Sequence, residues 1–194
     1  MDQAGKVAAC LALVSTVEGW LYDEEVELLY RLASGVREGV IVEIGSYRGK
    51  STVALALGSR DGSHAPVFAV DPHEDFTGVS GFQFGPRDRD EFSQSILRCG
   101  VSELVRPVSL TSAAAAEGWD LPVGLLWIDG DHRYESVKLD LDLWRPYLAP
   151  RAFVALHDSV DPNLAPWRVI REEIHAGRFE QIELVGSTTV LSRR

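Results

Sequence analysis

The chain is short of cysteine, short of positive charge and free of long apolar runs, and each shortage removes a class of protein. Cys10 and Cys99 are its only cysteines. They lie far apart without CxxC spacing, so they build neither a disulfide framework nor a zinc knuckle. Two free thiols fit a reducing cytoplasm. Basic residues are outnumbered, 19 Lys and Arg against 29 Asp and Glu, for a net charge of −10. Binding to a phosphate backbone needs clustered basic residues, so nucleic acid is not an expected partner. The apolar stretch at residues 7–14 is too short to cross a membrane. Lys6 alone, followed by Glu18 and the acidic residues 23–25, makes a poor signal peptide. A cytoplasmic protein without a membrane partner is expected, and a homo-oligomer stays compatible with the sequence.

What is there is an ordinary globular composition, 45% hydrophobic and 25% charged. A chain of 194 residues buries about 70% of its unfolded surface without a staple. Residues 5–16 and 23–34 read as helices. The second sets Val26, Leu29, Leu32 and Ala33 on one face and opens with acids suited to a helix N-terminus. From residue 40 short apolar runs alternate with helices. Strands are expected at 40–44, 67–70, 105–110, 124–128 and 153–156, and helices at 51–57, 91–99, 133–147 and 167–175. Residues 181–185 and 188–192, joined by Gly186-Ser187, read as a hairpin. Such alternation predicts an α/β fold, a Rossmann-like doubly wound, mostly parallel seven-stranded sheet with one antiparallel strand from the hairpin. Residues 1–38 are expected to form an N-terminal helical cap, and 39–194 the ligand-binding domain.

In such a sheet, ligands bind beyond the carboxyl ends of the strands at the switch point. The first strand runs into IVEIGSYRGKST, a glycine-bearing turn before a helix whose free N–H groups favour an anion. A phosphate loop needs GxxxxGK[ST], and GSYRGKS is one residue short. A dinucleotide turn needs GxGxxG, but Tyr47 stands at the second glycine and Lys50 at the third, and Glu43 sets a negative charge beside the dianion. In its favour, Asp71 follows at about the distance of a ribose-binding acid. A third ligand fits Glu43 as well: one with a ribose diol for Asp71 and an ammonium or sulfonium for Glu43, as in S-adenosylmethionine.

LLWIDGDHRYESV carries the densest chemistry. Asp129 ends an apolar strand, Gly130 frees the turn, and Asp131 is placed to cap the next helix. A second strand ends in FVALHDS. Neighbouring strands lie about 4.8 Å apart, so Asp129, His157 and Asp158 could converge on magnesium or another hard divalent cation. His132, three residues beyond Asp129, is a candidate general base beside it.

Together VEGWLYDEE, VEIGSYRGKSTVALALG, VFAVDP, WIDGDHRYESVKLDLDLW and FVALHDS resemble class I S-adenosylmethionine-dependent methyltransferases. The resemblance is to the small bacterial branch related to macrocin-type and other natural-product sugar O-methyltransferases, and it covers residues 17–192. It implies cofactor contacts at Glu43, Gly45, Ser46, Gly49, Ser51 and Asp71, and an approach to the adenine at residues 111–112, hence Ser112. Asp129 is expected at both the cofactor and the reaction. The family's magnesium aspartates map onto Asp129 and Asp158, with His157 where many relatives have a carboxylate, and its catalytic histidine maps onto His132. Pro150-Arg151-Ala152 replaces the common proline-glycine-glycine turn.

The implied reaction is methyl transfer from a sulfonium to the hydroxyl of a small molecule, a sugar or other natural product, as in antibiotic biosynthesis. The segment 73–90, with Phe76, Phe82 and Phe84 among glycines, is long for an idle connection and is expected to form a lid over the acceptor. Two other readings stand beside this one: an NAD(P)-dependent oxidoreductase, and a cofactor-binding regulatory module without chemistry.

Overall fold

In the computed structural model, residues 2–193 are described. Met1 and Arg194, the outer ends of the two expected units, lie outside the described residues. Seven strands form one sheet: β1 (Val40–Ile44), β2 (Val67–Val70), β3 (Val105–Val108), β4 (Val123–Ile128), β5 (Leu148–Leu156), β6 (Phe179–Val185) and β7 (Thr188–Arg193). Their order is β3-β2-β1-β4-β5-β7-β6. Every pairing from β3 to β5 is parallel, and β7 runs antiparallel to both its neighbours. The doubly wound sheet with one antiparallel hairpin strand, expected from the alternation of runs, is what forms.

The central strands are apolar on both faces because both faces are covered. All residues of β1 and β4 are buried. One face is packed by α1 (Gln3–Val14), α2 (Asp23–Ser34), α3 (Lys50–Asp61) and α4 (Pro86–Arg98), with Leu29, Leu55, Phe92 and Trp127 in a single cluster. The other face is packed by α5 (Ser112–Ala116), α6 (Tyr134–Trp144) and α7 (Ala165–His175), around Leu126, Leu141, Trp144 and Phe179. The N-terminal helices thus share their core with the sheet. Chain direction across the sheet reverses between β1 and β4, which sets the switch point at their carboxyl ends.

Several elements differ from the sequence reading, and four of the differences bear on the site or the core. The helix expected from Glu91 starts five residues earlier at Pro86, because proline fits the first helical turn, where its missing N–H is no loss. Much of the expected lid is therefore ordered: Phe76–Thr77 and Gln83–Phe84 pair as a small antiparallel hairpin. The short helix α5 was not anticipated, although Thr111 caps it through Oγ1 on the Ala114 amide at 3.2 Å. Strand β5 begins at Leu148, not 153, and α6 stops at Trp144 in a 3-10 turn over Arg145–Tyr147, where Pro146 lacks the amide to go on.

Helices α2 and α3 touch backbone to side-chain-free backbone. A Cβ built on Gly58 would lie 2.1 Å from the Tyr30 carbonyl oxygen. Gly58→Ala must push the helices apart, and overpacking of this kind costs about 1–3 kcal/mol. Each kcal/mol lowers Tm by about 2–4 °C in a chain of this size. Thermal unfolding of the variant should show that drop; a Tm equal to the parent's would contradict the packing.

Candidate functional site

Strand register lays four residues side by side at one edge. The amide of Gly45 donates to the Val70 carbonyl, Asp71 to Val108, Asp129 to Ile44 and His157 to Ile128. Each is the first residue past its strand, so the glycine turn and two acidic ends share one rim. Backbone strain gathers there too. Of the four described non-glycine residues with positive φ, three are Tyr47 (45°), His73 (49°) and Asp158 (48°). Such conformations are sparsely populated and concentrate at ligand sites.

The turn after β1 is held by carboxylates from below and beside it. Glu43 is fully buried and accepts hydrogen bonds from Ser51 Oγ and Thr52 Oγ1, both at 2.5 Å. Burial pushes its pKa up to about 8 against the opposing pull of those two hydroxyls. It therefore lies under the turn, not on its rim, and the Ser51 hydroxyl is committed to it. Asp71 accepts the amides of Ser46 (2.9 Å) and Tyr47 (3.0 Å) on one oxygen and that of His73 (2.8 Å) on the other. A carboxylate has about four acceptor positions, which leaves one for a ligand hydroxyl. Gly45, at φ +84°, has no room for a Cβ, which would sit 2.4 Å from the Asp129 carbonyl oxygen. Gly49, at φ +91°, precedes the first turn of α3. Ser46 Oγ is buried with no hydrogen-bond partner.

The segment joining α1 to α2 lies over this turn. Trp20 stacks on Tyr47 with ring centroids 5.2 Å apart, Lys50 Nζ donates to the Gly19 carbonyl at 3.0 Å, and Arg48 bridges Glu18 and Asp88. A phosphate-loop lysine would turn inward; Lys50 turns out. Phe82 and Phe84 of the hairpin meet Trp20 at 4.5 and 6.3 Å. At the other end Arg133 donates to the Thr77 carbonyl at 3.0 Å and lies over the Phe76 ring. Aromatic rings thus wall the rim between the glycine turn and α6.

Opposite stands the histidine–acid cluster. His132 Nε2 is 3.5 Å from Asp129 Oδ1, and its Nδ1 is 3.7 Å from Asp158 Oδ2. Nε2 is buried and makes no hydrogen bond. Burial works against a charged ring, but Asp129 and then Asp158 outweigh it and hold the His132 pKa above its ordinary 6.5. His157 Nδ1 contacts Asp129 Oδ1 at 3.1 Å, and its Nε2 faces Glu25 Oε1 at 3.5 Å. Against burial, these carboxylates, Asp129 foremost, push His157 up to about 11. Burial likewise opposes ionisation of Asp129, and His157 foremost among its neighbours still brings its pKa below the usual range.

Asp129, His157 and Asp158 do converge, as the spacing anticipated. They are not arranged around a hard divalent ion as they stand, because both imidazole nitrogens of His157 face carboxylates and Asp129 and Asp158 are both turned to the His132 ring. Among the described residues no group of three or more His, Cys, Asp or Glu is arranged to hold a metal. Asp131 does not take the helix cap expected of it. Arg133 is the N-cap residue, and Asp131 instead accepts from Ser136 Oγ (2.7 Å) and Arg133 Nη1 (2.9 Å). The Ser112 hydroxyl accepts from Trp144 Nε1 at 2.9 Å, so its side chain is engaged with α6. Sequence reasoning passed over Glu25, Trp20 and His73. His73 Nε2 contacts the Tyr47 carbonyl at 2.8 Å, a tie across 26 residues with no local signal.

Residues 42–159 match the family described as Methyltransferase domain. A curated relative from Sinorhizobium fredii (strain NBRC 101917 / NGR234), the uncharacterized protein y4gI, is 31% identical over 131 residues, 66% of this chain. The chain spans only 14% of that relative's length. The solved O-methyltransferase from Bacillus cereus in complex with SAH aligns with 100% of this chain and 93% of its own, at TM-score 0.69 and 16% identity. TomG from Streptomyces achromogenes, an O-methyltransferase involved in tomaymycin synthesis and in complex with SAM, aligns with 100% of this chain and 90% of its own, at TM-score 0.65 and 18% identity. At these identities the structural likeness establishes the fold.

Glu43 makes the site's chemistry visible in stability. Its proton is held more tightly in the folded chain, near pH 8, than at the ordinary carboxyl value of 4.5. That contribution is complete below pH 4.5 and fades as pH rises towards 8. Glu43→Gln has nothing to titrate. Its stability relative to the parent should therefore rise between pH 5 and 8, by an amount on the order of a few kcal/mol. Urea unfolding at the two pH values measures this, and a pH-independent difference would contradict the burial of the carboxylate.

Proposed function

The chain belongs to the Methyltransferase domain family, and from that premise we propose that it is an S-adenosylmethionine-dependent O-methyltransferase acting on a hydroxyl of a small molecule. The family is the one the sequence motifs resemble. The observation that carries the finer reading is His132: a half-buried imidazole, 19% exposed, whose Nε2 is closed off against Asp129, set on the rim that also holds the glycine turn. A binding module without chemistry has no use for such a group. The dinucleotide reading is disfavoured by Tyr47, whose ring stacks on Trp20 and whose amide is tied to Asp71.

The residues fit the cofactor in parts that can be named. The open amides at the start of α3 and the orphaned Ser46 hydroxyl would receive its polar end, and the remaining acceptor position of Asp71 a ribose hydroxyl. Glu43 would act through the turn it supports, and Gly45 and Gly49 by shaping it. Bound there, S-adenosylmethionine supplies an electrophilic methyl group. The chain aligns donor and acceptor, chiefly a matter of proximity and orientation. His132 takes the acceptor's hydroxyl proton at Nδ1, and Asp129, beside the buried Nε2, steadies the imidazolium that results. The expected divalent metal does not fit the present donor set, so no step is assigned to it.

The aromatic rings of Trp20, Phe76 and Phe82, each partly exposed, form the acceptor side. They suit a ring-bearing natural product or its sugar, and TomG's stated role in tomaymycin synthesis supports that class. No described helix is long and apolar enough to cross a membrane. The cytoplasmic setting is part of the proposal and is supported by the free, buried Cys10 and Cys99.

Calorimetric titration should show binding of S-adenosylmethionine and none of NAD; the opposite result would sink the proposal. In a methyl-transfer screen against hydroxylated sugars, phenols and glycosides, kcat should rise with pH through a midpoint above 6.5, because His132 must be neutral to accept a proton. His132→Ala should lower kcat by about 10²–10⁴-fold, erase that limb and leave cofactor affinity within about twofold. An unchanged profile in the variant would remove His132 from the mechanism. Turnover should also survive chelation with EDTA, and its loss would mean that the acidic cluster rearranges around a cation.

A further inference from the structure

We propose that Glu25, on the N-terminal helix α2, is a positioning residue of the active site: it holds His157, which keeps Asp129 on His132. The inference rests on the reading of His132 as the base. It starts from a carboxylate that the mechanism does not use. Glu25 is fully buried, although a glutamate in the first turn of a helix ordinarily lies at the surface. Its Oε2 accepts the Tyr22 amide at 3.1 Å, which completes the usual helix-start arrangement. Capping needs no more than that oxygen.

Oε1 is turned the other way, into the molecule. It accepts from the Ser187 amide (2.9 Å), Ser187 Oγ (2.8 Å) and Thr188 Oγ1 (3.1 Å) in the terminal hairpin, and it faces His157 Nε2 at 3.5 Å. Gly186 clears the space, since a Cβ there would lie 2.9 Å from the Glu25 carboxyl carbon. Three donors fix the oxygen, so the carboxylate cannot swing away from the imidazole.

From there the contacts run in one line with alternating charge. Glu25 meets His157 Nε2, His157 Nδ1 meets Asp129 Oδ1 at 3.1 Å, and the same Oδ1 lies 3.5 Å from His132 Nε2. Each member sits on a different segment: α2, the end of β5, the end of β4, and the turn before α6. The His157 ring has one free torsion, and a partner on each nitrogen removes it. Without Glu25 the ring is held at one end only, and Asp129 loses the fixed donor that sets its oxygen between the two histidines. Helix α2 thereby sets the rim geometry from outside the sheet.

The test uses the full chain labelled with ¹⁵N-histidine, the five histidines being assigned by single His→Gln variants. In Glu25→Gln the ring signals of both His157 and His132 should move, whereas Ser187→Ala, which removes the Ser187 hydroxyl and leaves the Ser187 amide and Thr188 Oγ1 to hold Oε1 beside His157, should leave His132 in place. His132 signals that stay put in Glu25→Gln, or that move equally in Ser187→Ala, would overturn the proposal and leave Glu25 as a tie between helix and hairpin. Should Glu25→Gln not fold, Glu25→Asp, which withdraws the charge by one methylene, carries the same comparison. Calorimetry with S-adenosylmethionine on the parent chain runs beside it. No binding there would defeat the functional reading, while the histidine spectra still decide the role of Glu25.

Discussion

Carboxylates crowd one edge of the sheet, and the way each is satisfied organises much of the molecule. Unpaired ions cannot be carried into a low-dielectric rim, so every buried acid must find donors or give up its charge. Glu43 takes two hydroxyls from the first turn of α3 and leans towards the protonated form. Asp71 takes three backbone amides and so fixes the path of the glycine turn. Asp129 takes imidazoles, and Glu25 takes the tip of the terminal hairpin. Asp88 takes Arg48 and the Gly85 amide, which anchors α4 beside the turn. Hydroxyls, backbone amides, imidazoles and a guanidinium thus give these five carboxylates different roles. The net charge of −10 is in this sense partly a property of the site.

This division explains which parts of the chain could be read without a structure. Strands β1 and β2 were legible to the residue because short runs that are apolar but for Glu43, with turn signals at both ends, have few alternatives. Strand β5 was not, because its first residues, Leu148-Ala149-Pro150-Arg151, mix burial with a proline and a charge. The site followed the same rule. Asp129, His132, His157 and Asp158 could be brought together because strand ends in a doubly wound sheet meet at one rim whatever the loops do. Their protonation and partners could not, since these depend on Glu25 and on the hairpin at Ser187, 162 residues further along the chain. The same limit applies to Glu43. Its position in the motif pointed towards a cationic ligand, whereas its partners are local hydroxyls that only the packing of α3 reveals.

Histidine at 157 changes the character of the rim. A carboxylate there would add a third negative group and call for a cation. An imidazole held between Glu25 and Asp129 is itself the cation, and with both nitrogens occupied it has no lone pair to offer a metal. Charge balance at the rim is then internal to the protein. The consequence for chemistry lies in what remains for the reacting proton. Asp129 is shared between two rings and is weakened as a base, while the His132 ring meets Asp129 on Nε2 and stays partly exposed to the rim. In the proposed reaction, proton transfer falls to the imidazole, and the carboxylates set its orientation and pKa.

Selectivity must then come from the elements that cross the rim. Trp20 meets Phe82 and Phe84 edge to face, and Arg133 ties the hairpin to the start of α6, next to His132. Movement of that hairpin away from the rim would have to break the Arg133 side-chain hydrogen bond to Thr77, its cation–π contact with Phe76 and the contacts of Phe82 and Phe84 with Trp20 and Tyr47, each worth about 0.5–1.5 kcal/mol. Trp20 is different. Its segment is fastened by Lys50 to the Gly19 carbonyl and by Glu18 to Arg48, both from the glycine turn itself. Closure over the proposed acceptor is therefore expected to come from the hairpin moving against a fixed Trp20, with the glycine turn and the N-terminal segment acting as one rigid jaw.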